Sequence, residues 1–308
     1  MLYPLKFKPI LEERIWGGHQ LGEKMGKKLP AGKLIGESWE ISSVPGNISV
    51  ISNGKLAGNT LEELIEVYMG DLVGDKIYNK FGLLFPLLIK LIDAQDALSI
   101  QVHPNDQLAK ERHNSYGKTE MWYIVDAEKD AQLCLGFNRP VTKEEYLKHV
   151  ADGTLADILA RVPVKQDDAY FIPAGAIHAI GKGILIAEIQ QTSDITYRVF
   201  DWNRVDKNGK SRELHTELAV DAINFAPDQH YDITHQPEVN RSVNLVECPY
   251  FTTNVVEVKG ELTRSYEALD SFVIYMVLDG DLTMKWKDGS EKATKGETVL
   301  VPACIDEM

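Results

Sequence analysis

The chain has 308 residues, of which 44% are hydrophobic, and its formal net charge is −13 at pH 7. This length fits one large or two medium domains with an ample core, and the acidic balance argues against nucleic acid or an anionic membrane surface as a partner. Three cysteines without a Cys-x-x-Cys pair, no signal-peptide pattern and no membrane-length apolar run predict a cytoplasmic protein with neither a disulfide framework nor a thiolate metal site.

The first 58 residues are rich in glycine and in short β-like runs, with two dense stretches at 14–18 and 36–42. Both stretches interleave tryptophan with charged residues, which is typical of a sugar pocket but equally of a strand with one buried tryptophan. We therefore treat Arg14 and Trp16 as possible substrate-binding residues in a pocket wall.

A capping box at 60–63 followed by apolar residues at helical spacing predicts a structural helix that ends before Gly70. Two strands are then expected at 85–92 and 97–103, joined by a turn at 93–96 as a hairpin.

The second of these strands ends in Gln101-Val102-His103. Successive side chains of a strand alternate between its faces, so Gln101 and His103 project to the same side and can reach one metal ion.

Two later segments offer partners for that ion. Glu120 begins a strand-like run, and His178 follows Pro173 and Gly175, whose turn would aim the imidazole back toward the sheet. An amide oxygen, two imidazoles and a carboxylate suit a non-thiolate divalent ion, with zinc as the first expectation.

Further along, a second capping box at 142–145 and a short pattern at 155–159 predict two helices. Strands are expected from 168 to 201 and a helix over 213–223. A polar, proline-bearing linker over 226–237 leads into a meander of hairpins, with strands at 272–278 and 281–287. We place the domain boundary at 235/236.

Residues 168–174 and 296–303 share a pattern, which suggests two related β-barrels. In the second copy Cys304 stands in the place of Gly175 and Glu307 in the place of His178. We therefore expect a metal-binding domain over 1–235 and a metal-free domain over 236–308, short at its C-terminus.

Four motifs in this order resemble the type I mannose-6-phosphate isomerases of the cupin superfamily. They are Gln101-x-His103, Lys118-Thr119-Glu120-Met121-Trp122, Pro173-Ala174-Gly175-Ala176-Ile177-His178 and the run Gln190 to Trp202. The resemblance implies a mainly β protein of two cupin jelly-roll barrels that interconverts mannose 6-phosphate and fructose 6-phosphate with one zinc ion per chain. By position it implies Gln101, His103, Glu120 and His178 as ligands, Arg198 as the active-site arginine and Lys118 as the active-site lysine.

The isomerisation moves a proton between C2 and C1 through a cis-enediol. Arginine stays protonated in proteins, so Arg198 fits a stabilising role rather than that of the base. Neighbouring positive charge disfavours the ammonium form of Lys118, which then becomes a usable base or an acid for ring opening. A zinc-bound water and Glu188 are its rivals, and Glu188 is also a candidate substrate-binding residue. Arg14, Lys90 and Arg204 are candidates for binding the phosphate of the hexose 6-phosphate.

Two other hypotheses remain open. A His-Glu-His set is also the ligand pattern of Fe(II) oxygenases, although Gln101 would occupy a position that O₂ activation needs open. A sugar-phosphate-binding cupin without catalysis is the other. The sequence leaves the oligomeric state between a monomer and a weak homo-oligomer.

Overall fold

The computed structural model describes residues 2–205, 209–227 and 229–308, so Asp228 of the predicted linker lies outside the described residues. Strand accounts for 37% of the chain and helix for 18%, which confirms the prediction of a mainly β protein with helical insertions. No helix in these ranges is long and apolar enough to cross a membrane.

The described residues form 20 strands, six α-helices and two 3₁₀ helices. The strands are β1 (Leu5–Lys6), β2 (Ile10–Gly18), β3 (Ile35–Ile41), β4 (Ser43–Val44), β5 (Asn47–Ile48), β6 (Leu87–Ala94), β7 (Ile100–Val102), β8 (Glu120–Ala127), β9 (Gln132–Phe137), β10 (Leu159–Pro163), β11 (Ala169–Ile172), β12 (His178–Ile180), β13 (Ile184–Gln191), β14 (Tyr197–Phe200), β15 (Val243–Glu247), β16 (Thr252–Val255), β17 (Val273–Met276), β18 (Asp281–Trp286), β19 (Gly289–Thr294) and β20 (Thr298–Val301). The helices are α1 (Gln20–Glu23), α2 (Leu61–Val73), α3 (Asp75–Phe81), α4 (Asp106–His113), α5 (Lys143–Ala151), α6 (Thr216–Ala222), η1 (Gly54–Leu56) and η2 (Leu155–Ile158).

Two antiparallel sheets pack face to face as a sandwich. One has the strand order β11-β8-β13-β6-β3-β2 and the other β10-β9-β12-β7-β14. Apolar side chains from both sheets, among them Ile92, Ile124, Leu133 and Ile186, form one buried cluster between them. We call this sandwich the first barrel.

The interior of the first barrel is apolar at one end and polar at the other. Along β6 the inward positions run from Lys90 to Ile92, and along β13 they run from Glu188 to Ile186. Because these neighbouring strands are antiparallel and in register, the polar positions of each strand lie at the same end.

The outer faces of both sheets are covered. Helices α5 and α6 pack with η2 on the five-stranded sheet, with Tyr146 among their buried side chains. Helix α2 and the C-terminal region (residues 241–308) share a second cluster with the six-stranded sheet, to which Leu300 and Phe251 contribute.

The N-terminus joins the C-terminal region directly. Strand β1 pairs with β20, which also pairs with β17 in a three-stranded sheet. Part of the predicted linker is held as well, because Phe171 donates to the carbonyl of Tyr231 and Ile233 donates to that of Ala169 along the edge of β11. The boundary at 235/236 stays a prediction.

The predicted hairpin of the strands at 85–92 and 97–103 is wrong. Strand β6 extends to Ala94 in the six-stranded sheet, whereas β7 lies in the five-stranded sheet. Between them the chain crosses the barrel, since Asp96 N–H donates to Trp16 O and Leu98 N–H donates to Ile180 O. These hydrogen bonds replace the turn that would have closed a hairpin.

The predicted strand pair at 272–287 is also wrong. Strand β17 pairs with β20 rather than with β18, because Val277 exchanges backbone hydrogen bonds with Gly296 and Glu297 at the end of β17. The next hairpin, β18 with β19, forms as expected.

Two helices depart from their predicted bounds. Helix α2 continues past Gly70 to Val73 with a kink at Met69, whose φ is 47°. Helix α6 begins at Thr216 rather than at residue 213, because the backbones of Glu213 and His215 pair with Arg198 instead of entering a helix.

The capping box of α2 offers a test of local stability. Thr60 Oγ1 accepts from Glu63 N–H while the Glu63 carboxylate accepts from Thr60 N–H. We expect Thr60→Ala to lower the free energy of unfolding by about 1 kcal/mol, measured by urea denaturation, because Glu63 N–H loses its acceptor. Thr263→Ala, on an exposed loop outside any helix, is the matched control. Equal stability of the two variants would contradict the capping role.

Candidate metal centre

Three of the four predicted metal ligands lie together at the polar end of the first barrel. His103 directly follows β7, Glu120 opens β8 and His178 opens β12. Their ligand atoms all lie within 4.8 Å of one another, and each residue is at most 1% exposed. His103 Nε2 is 3.2 Å from Glu120 Oε1, and His178 Nε2 is 3.9 Å from Glu120 Oε2.

Backbone carbonyls orient both imidazoles. His103 Nδ1 lies 3.0 Å from the carbonyl oxygen of Ile195, and His178 Nδ1 lies 2.9 Å from that of Ala176. A carbonyl can only accept, so each ring carries its proton on Nδ1 and turns the lone pair of Nε2 toward Glu120. This tautomer is the one that binds metals through Nε2.

The protonation states of the three side chains favour a bound cation over direct contacts among them. Burial, and then the Lys118 ammonium, lower the pKa of His103 to about 3, and burial lowers that of His178, so both rings are neutral at pH 7. Burial alone would raise the pKa of Glu120, but the Lys118 ammonium outweighs it and holds that pKa well below its usual range. Lone pairs of two neutral rings therefore face an ionised carboxylate. Neither ring's Nε2 nor either Glu120 oxygen has a hydrogen bond of acceptable geometry to a described residue.

Gln101, the fourth predicted ligand, lies in register with the cluster. It is the cross-strand partner of His178 on β12 and of Arg198 on β14. Directly paired residues of antiparallel strands project to the same face, so the three side chains stand side by side inside the barrel. Gln101 as a ligand stays a prediction.

Arg198 is anchored from the segment that precedes α6. Its Nη1 donates to the carbonyl of Glu213 at 2.9 Å, and its backbone N–H donates to Nδ1 of His215 at 3.2 Å. Burial, followed by the nearby guanidinium of Arg212, lowers the pKa of Arg198. Its Nε is buried without an acceptor among the described residues, which leaves one N–H free for a ligand.

Lys118 reaches the cluster through a short loop. Its Nζ lies 3.0 Å from Glu120 Oε1, and its side chain is only 7% exposed. The Lys118 ammonium and the two imidazoles therefore all face the Glu120 carboxylate, which a bound cation would also use.

A buried row of side chains extends from the cluster across the six-stranded sheet. Trp122, Glu188, Lys90 and Trp39 are successive cross-strand partners. Glu188 accepts from Trp122 Nε1 at 2.9 Å, and its other oxygen lies 3.1 Å from Lys90 Nζ. Burial, and then Glu120, raise the pKa of Glu188. Burial alone would lower the pKa of Lys90, but Glu188 and Glu37 raise it instead.

The remaining predicted substrate-binding residues lie farther along β2. Trp16 is 3% exposed and packs in the apolar cluster of the first barrel. Arg14 pairs with Glu12 and Glu37, and Glu37 in turn accepts from Trp39 Nε1 at 2.7 Å. Arg14 thus extends the buried row to the surface. A substrate contact by Arg14 or by Trp16 stays a prediction.

The three phosphate candidates all have partners. Arg204 donates to Asp201 and to the carbonyl of Ala97, while Arg14 and Lys90 have the partners described above. Asp201 also accepts from Arg212, so these two guanidiniums share a single carboxylate. Sequence reasoning missed the Lys90–Glu188 pair, although a lysine inside the apolar run of β6 signals a buried partner.

Two family models match this chain. Residues 4–134 match phosphomannose isomerase type I, catalytic domain, and residues 241–308 match mannose-6-phosphate isomerase, cupin domain. The mannose-6-phosphate isomerase ManA of Bacillus subtilis is 39% identical, covering 99% of this chain and 95% of the relative. That of Streptococcus mutans is 34% identical, covering 99% and 94%.

Solved structures share the fold. The crystal structure of the mannose 6-phosphate isomerase from Bacillus subtilis superposes with a TM-score of 0.88 at 33% identity, covering 99% of this chain and 96% of that one. A putative mannosephosphate isomerase from Archaeoglobus fulgidus gives a TM-score of 0.75 at 22% identity, over 99% and 93% of the chains, a likeness of fold alone.

The buried Lys90–Glu188 pair predicts a pH-dependent loss of stability. We expect Lys90→Met, assayed with chelator by urea denaturation, to cost about 3 kcal/mol or more at pH 8, because Glu188 is left buried and unpaired. Since the folded-state pKa of Glu188 is raised, the penalty is present at high pH and shrinks as pH falls toward the unfolded-state pKa of about 4.3.

Two controls accompany this variant. The double variant Lys90→Met with Glu188→Gln removes both members of the ion pair and should recover part of the loss at pH 8. Lys24→Met breaks the exposed pair with Asp126 and should cost less than about 1 kcal/mol. A Lys90→Met penalty that does not change between pH 8 and pH 5 would contradict this assignment.

Proposed function

Because the chain belongs to the type I phosphomannose isomerase family, we propose that it interconverts mannose 6-phosphate and fructose 6-phosphate with a zinc ion, through a cis-enediol. The family assignment makes the chain a mannose-6-phosphate isomerase. The metal dependence rests on one observation: at the polar end of the barrel, the inward-facing donor atoms of His103, Glu120 and His178 lack a hydrogen-bond partner among the described residues.

His103, Glu120 and His178 would hold the ion, with Gln101 as the fourth ligand. Two imidazole nitrogens, a carboxylate and an amide oxygen, without any thiolate, are compatible with zinc. When bound, a divalent cation supplies Lewis-acid polarisation of the sugar carbonyl and of the adjacent hydroxyl. The carbonyls of Ile195 and Ala176 keep the ligand rings in the required tautomer.

Arg198 would stabilise the negative charge that develops on the substrate oxygens. It stands beside Gln101 in the sheet register, is held by Glu213 and His215, and keeps a buried Nε–H without an acceptor in the described chain. A fixed guanidinium donates a charge-assisted hydrogen bond to an enediolate without reorganising during the reaction.

Lys118 is the proposed proton-transfer residue, and Glu188 is the rival. Both are buried beside the cluster, Lys118 against Glu120 and Glu188 between Lys90 and Trp122. Glu188 has a raised pKa, which suits a general base, but it is already bound by two partners. In the described part of the chain, the ion pair of Lys118 is with the Glu120 carboxylate, which the metal ion would also use.

The metal dependence can be tested on the purified protein with a coupled assay for mannose 6-phosphate conversion and with elemental analysis. We expect about one zinc ion per chain, loss of activity with chelator and recovery with zinc. Glu120→Gln and His178→Ala should lower zinc affinity at least tenfold, because each removes a ligand from a buried site. His149→Ala, on the surface helix α5, is the matched histidine control and should change neither quantity.

Three results would contradict this function. Tightly bound iron without isomerisation would favour the dioxygenase hypothesis. Binding of mannose 6-phosphate by the zinc-loaded protein without turnover would favour the non-catalytic cupin. Full activity of Glu120→Gln in the presence of chelator would reject the metal role itself.

The proton-transfer assignment is tested by exchange of the C2 proton of mannose 6-phosphate with D₂O. We expect Lys118→Met to slow both exchange and conversion by about 100-fold or more, because general acid–base catalysis contributes about that much. Glu188→Gln should leave exchange measurable, since it keeps the size of the side chain and the acceptor for Trp122. Zinc content is measured for both variants. The reverse order of the two effects would assign the base to Glu188.

A further inference from the structure

The C-terminal region reaches the neighbourhood of the metal centre through one side chain. In its described residues it holds no group of three metal-ligating side chains like that of the first barrel. Tyr250, in the loop between β15 and β16, nevertheless donates its hydroxyl to Asp106 Oδ2 at 2.8 Å. Asp106 is the first residue of α4, three positions after His103.

Asp106 joins this tyrosine to the loop that carries Lys118. Its other oxygen, Oδ1, accepts from the backbone N–H of Gly117 and from Gln191 Nε2, both at 2.9 Å. Gly117 comes so close that a Cβ on it would stand 2.5 Å from Asp106 N. Burial alone would raise the pKa of Asp106, but the hydrogen bonds from Gln191, Gly117 and Tyr250 lower it, which keeps the acceptor ionised.

Gln191 holds the other side of the same loop. Its Oε1 accepts from Thr119 N–H at 2.9 Å, and its own backbone N–H donates to Thr119 O at 3.2 Å. Asp106 and Gln191 thus take the backbone donors of the residues immediately before and after Lys118. Gly117 and Thr119 are buried, so losing these acceptors would leave unsatisfied donors next to the lysine.

We propose that the hydrogen-bond chain Tyr250–Asp106–Gln191 positions Lys118, and that through it the C-terminal region acts on proton transfer. The three are positioning residues, because their contacts go to the backbone on either side of Lys118 and to one another. The inference rests on the proposed function, since it assigns these residues to the Lys118 step. It gives the C-terminal region a role in the reaction itself.

The test combines steady-state kinetics with amide hydrogen exchange on the full chain loaded with zinc. We expect Tyr250→Phe to lower kcat about threefold to fivefold with little change in KM and none in zinc content, from the loss of one hydrogen bond. Asp106→Ala should lower kcat about tenfold or more. Both variants should speed exchange of the Gly117 to Thr119 amides relative to the rest of the chain.

Tyr266→Phe is the matched control. It removes a hydroxyl contact to Tyr275 that lies within the C-terminal region and does not involve Asp106. It should leave kcat and exchange over 117–119 unchanged. Adding Tyr250→Phe to Asp106→Ala should lower kcat no further, because the hydroxyl acts only through that carboxylate.

The outcomes separate this inference from the proposed function. If the unmodified protein converts mannose 6-phosphate while Tyr250→Phe and Asp106→Ala match its kcat, the positioning role is overturned and the isomerase stands. If the unmodified protein does not convert it, the proposed function fails. In that case the amide exchange rates still show whether the hydrogen-bond chain Tyr250–Asp106–Gln191 orders the loop at 117–119. Unchanged exchange in both variants would overturn this structural part of the inference as well.

Discussion

A set of buried acceptors that face one another without a shared proton is the constraint on which this structure depends. Neutral imidazoles of His103 and His178 point their lone pairs at the ionised Glu120, and all three are nearly inaccessible to water. Like lone pairs repel at such distances, and burying an ion without full compensation costs several kcal/mol. Lys118 meets part of this cost. A divalent cation would meet the rest, and the surrounding barrel keeps the donors in place for it.

The barrel keeps these donor atoms in place because its inward-facing side chains are polar at one end of the strands and apolar at the other. Along β6 the aliphatic Ile92 lies two residues after Lys90, and along β13 the aliphatic Ile186 lies two residues before Glu188. The apolar half packs both sheets together, while the polar half is satisfied by cross-strand pairs such as Glu188 with Lys90. Because neighbouring strands are in register, shifting one strand by a single residue would turn these charges into the outer apolar clusters. The candidate metal centre and the fold therefore require the same register.

The sequence predicts the donors of this site better than it predicts their surroundings. Strand alternation and the turn before His178 indicated which residues could share an ion, and the structure brings His103, Glu120 and His178 together. Strand pairing was not predictable in the same way. The short segment after β6 resembles a hairpin turn, yet its backbone bonds to Trp16 and Ile180, which are distant in sequence. Likewise α6 starts late because Arg198 takes the backbone of Glu213 and His215, and no local pattern shows that competition.

The two buried lysines of the site show why position matters more than residue type. Lys90 and Lys118 each lie about 3 Å from a buried glutamate. Among the described residues Glu188 is held by Lys90 and Trp122, neither of which belongs to the cluster. Glu120 is shared by Lys118, two imidazoles and the proposed cation. The carboxylate that Lys90 meets has no part in the His103–Glu120–His178 cluster, whereas the carboxylate that Lys118 meets belongs to it, and this difference follows from which glutamate each lysine contacts.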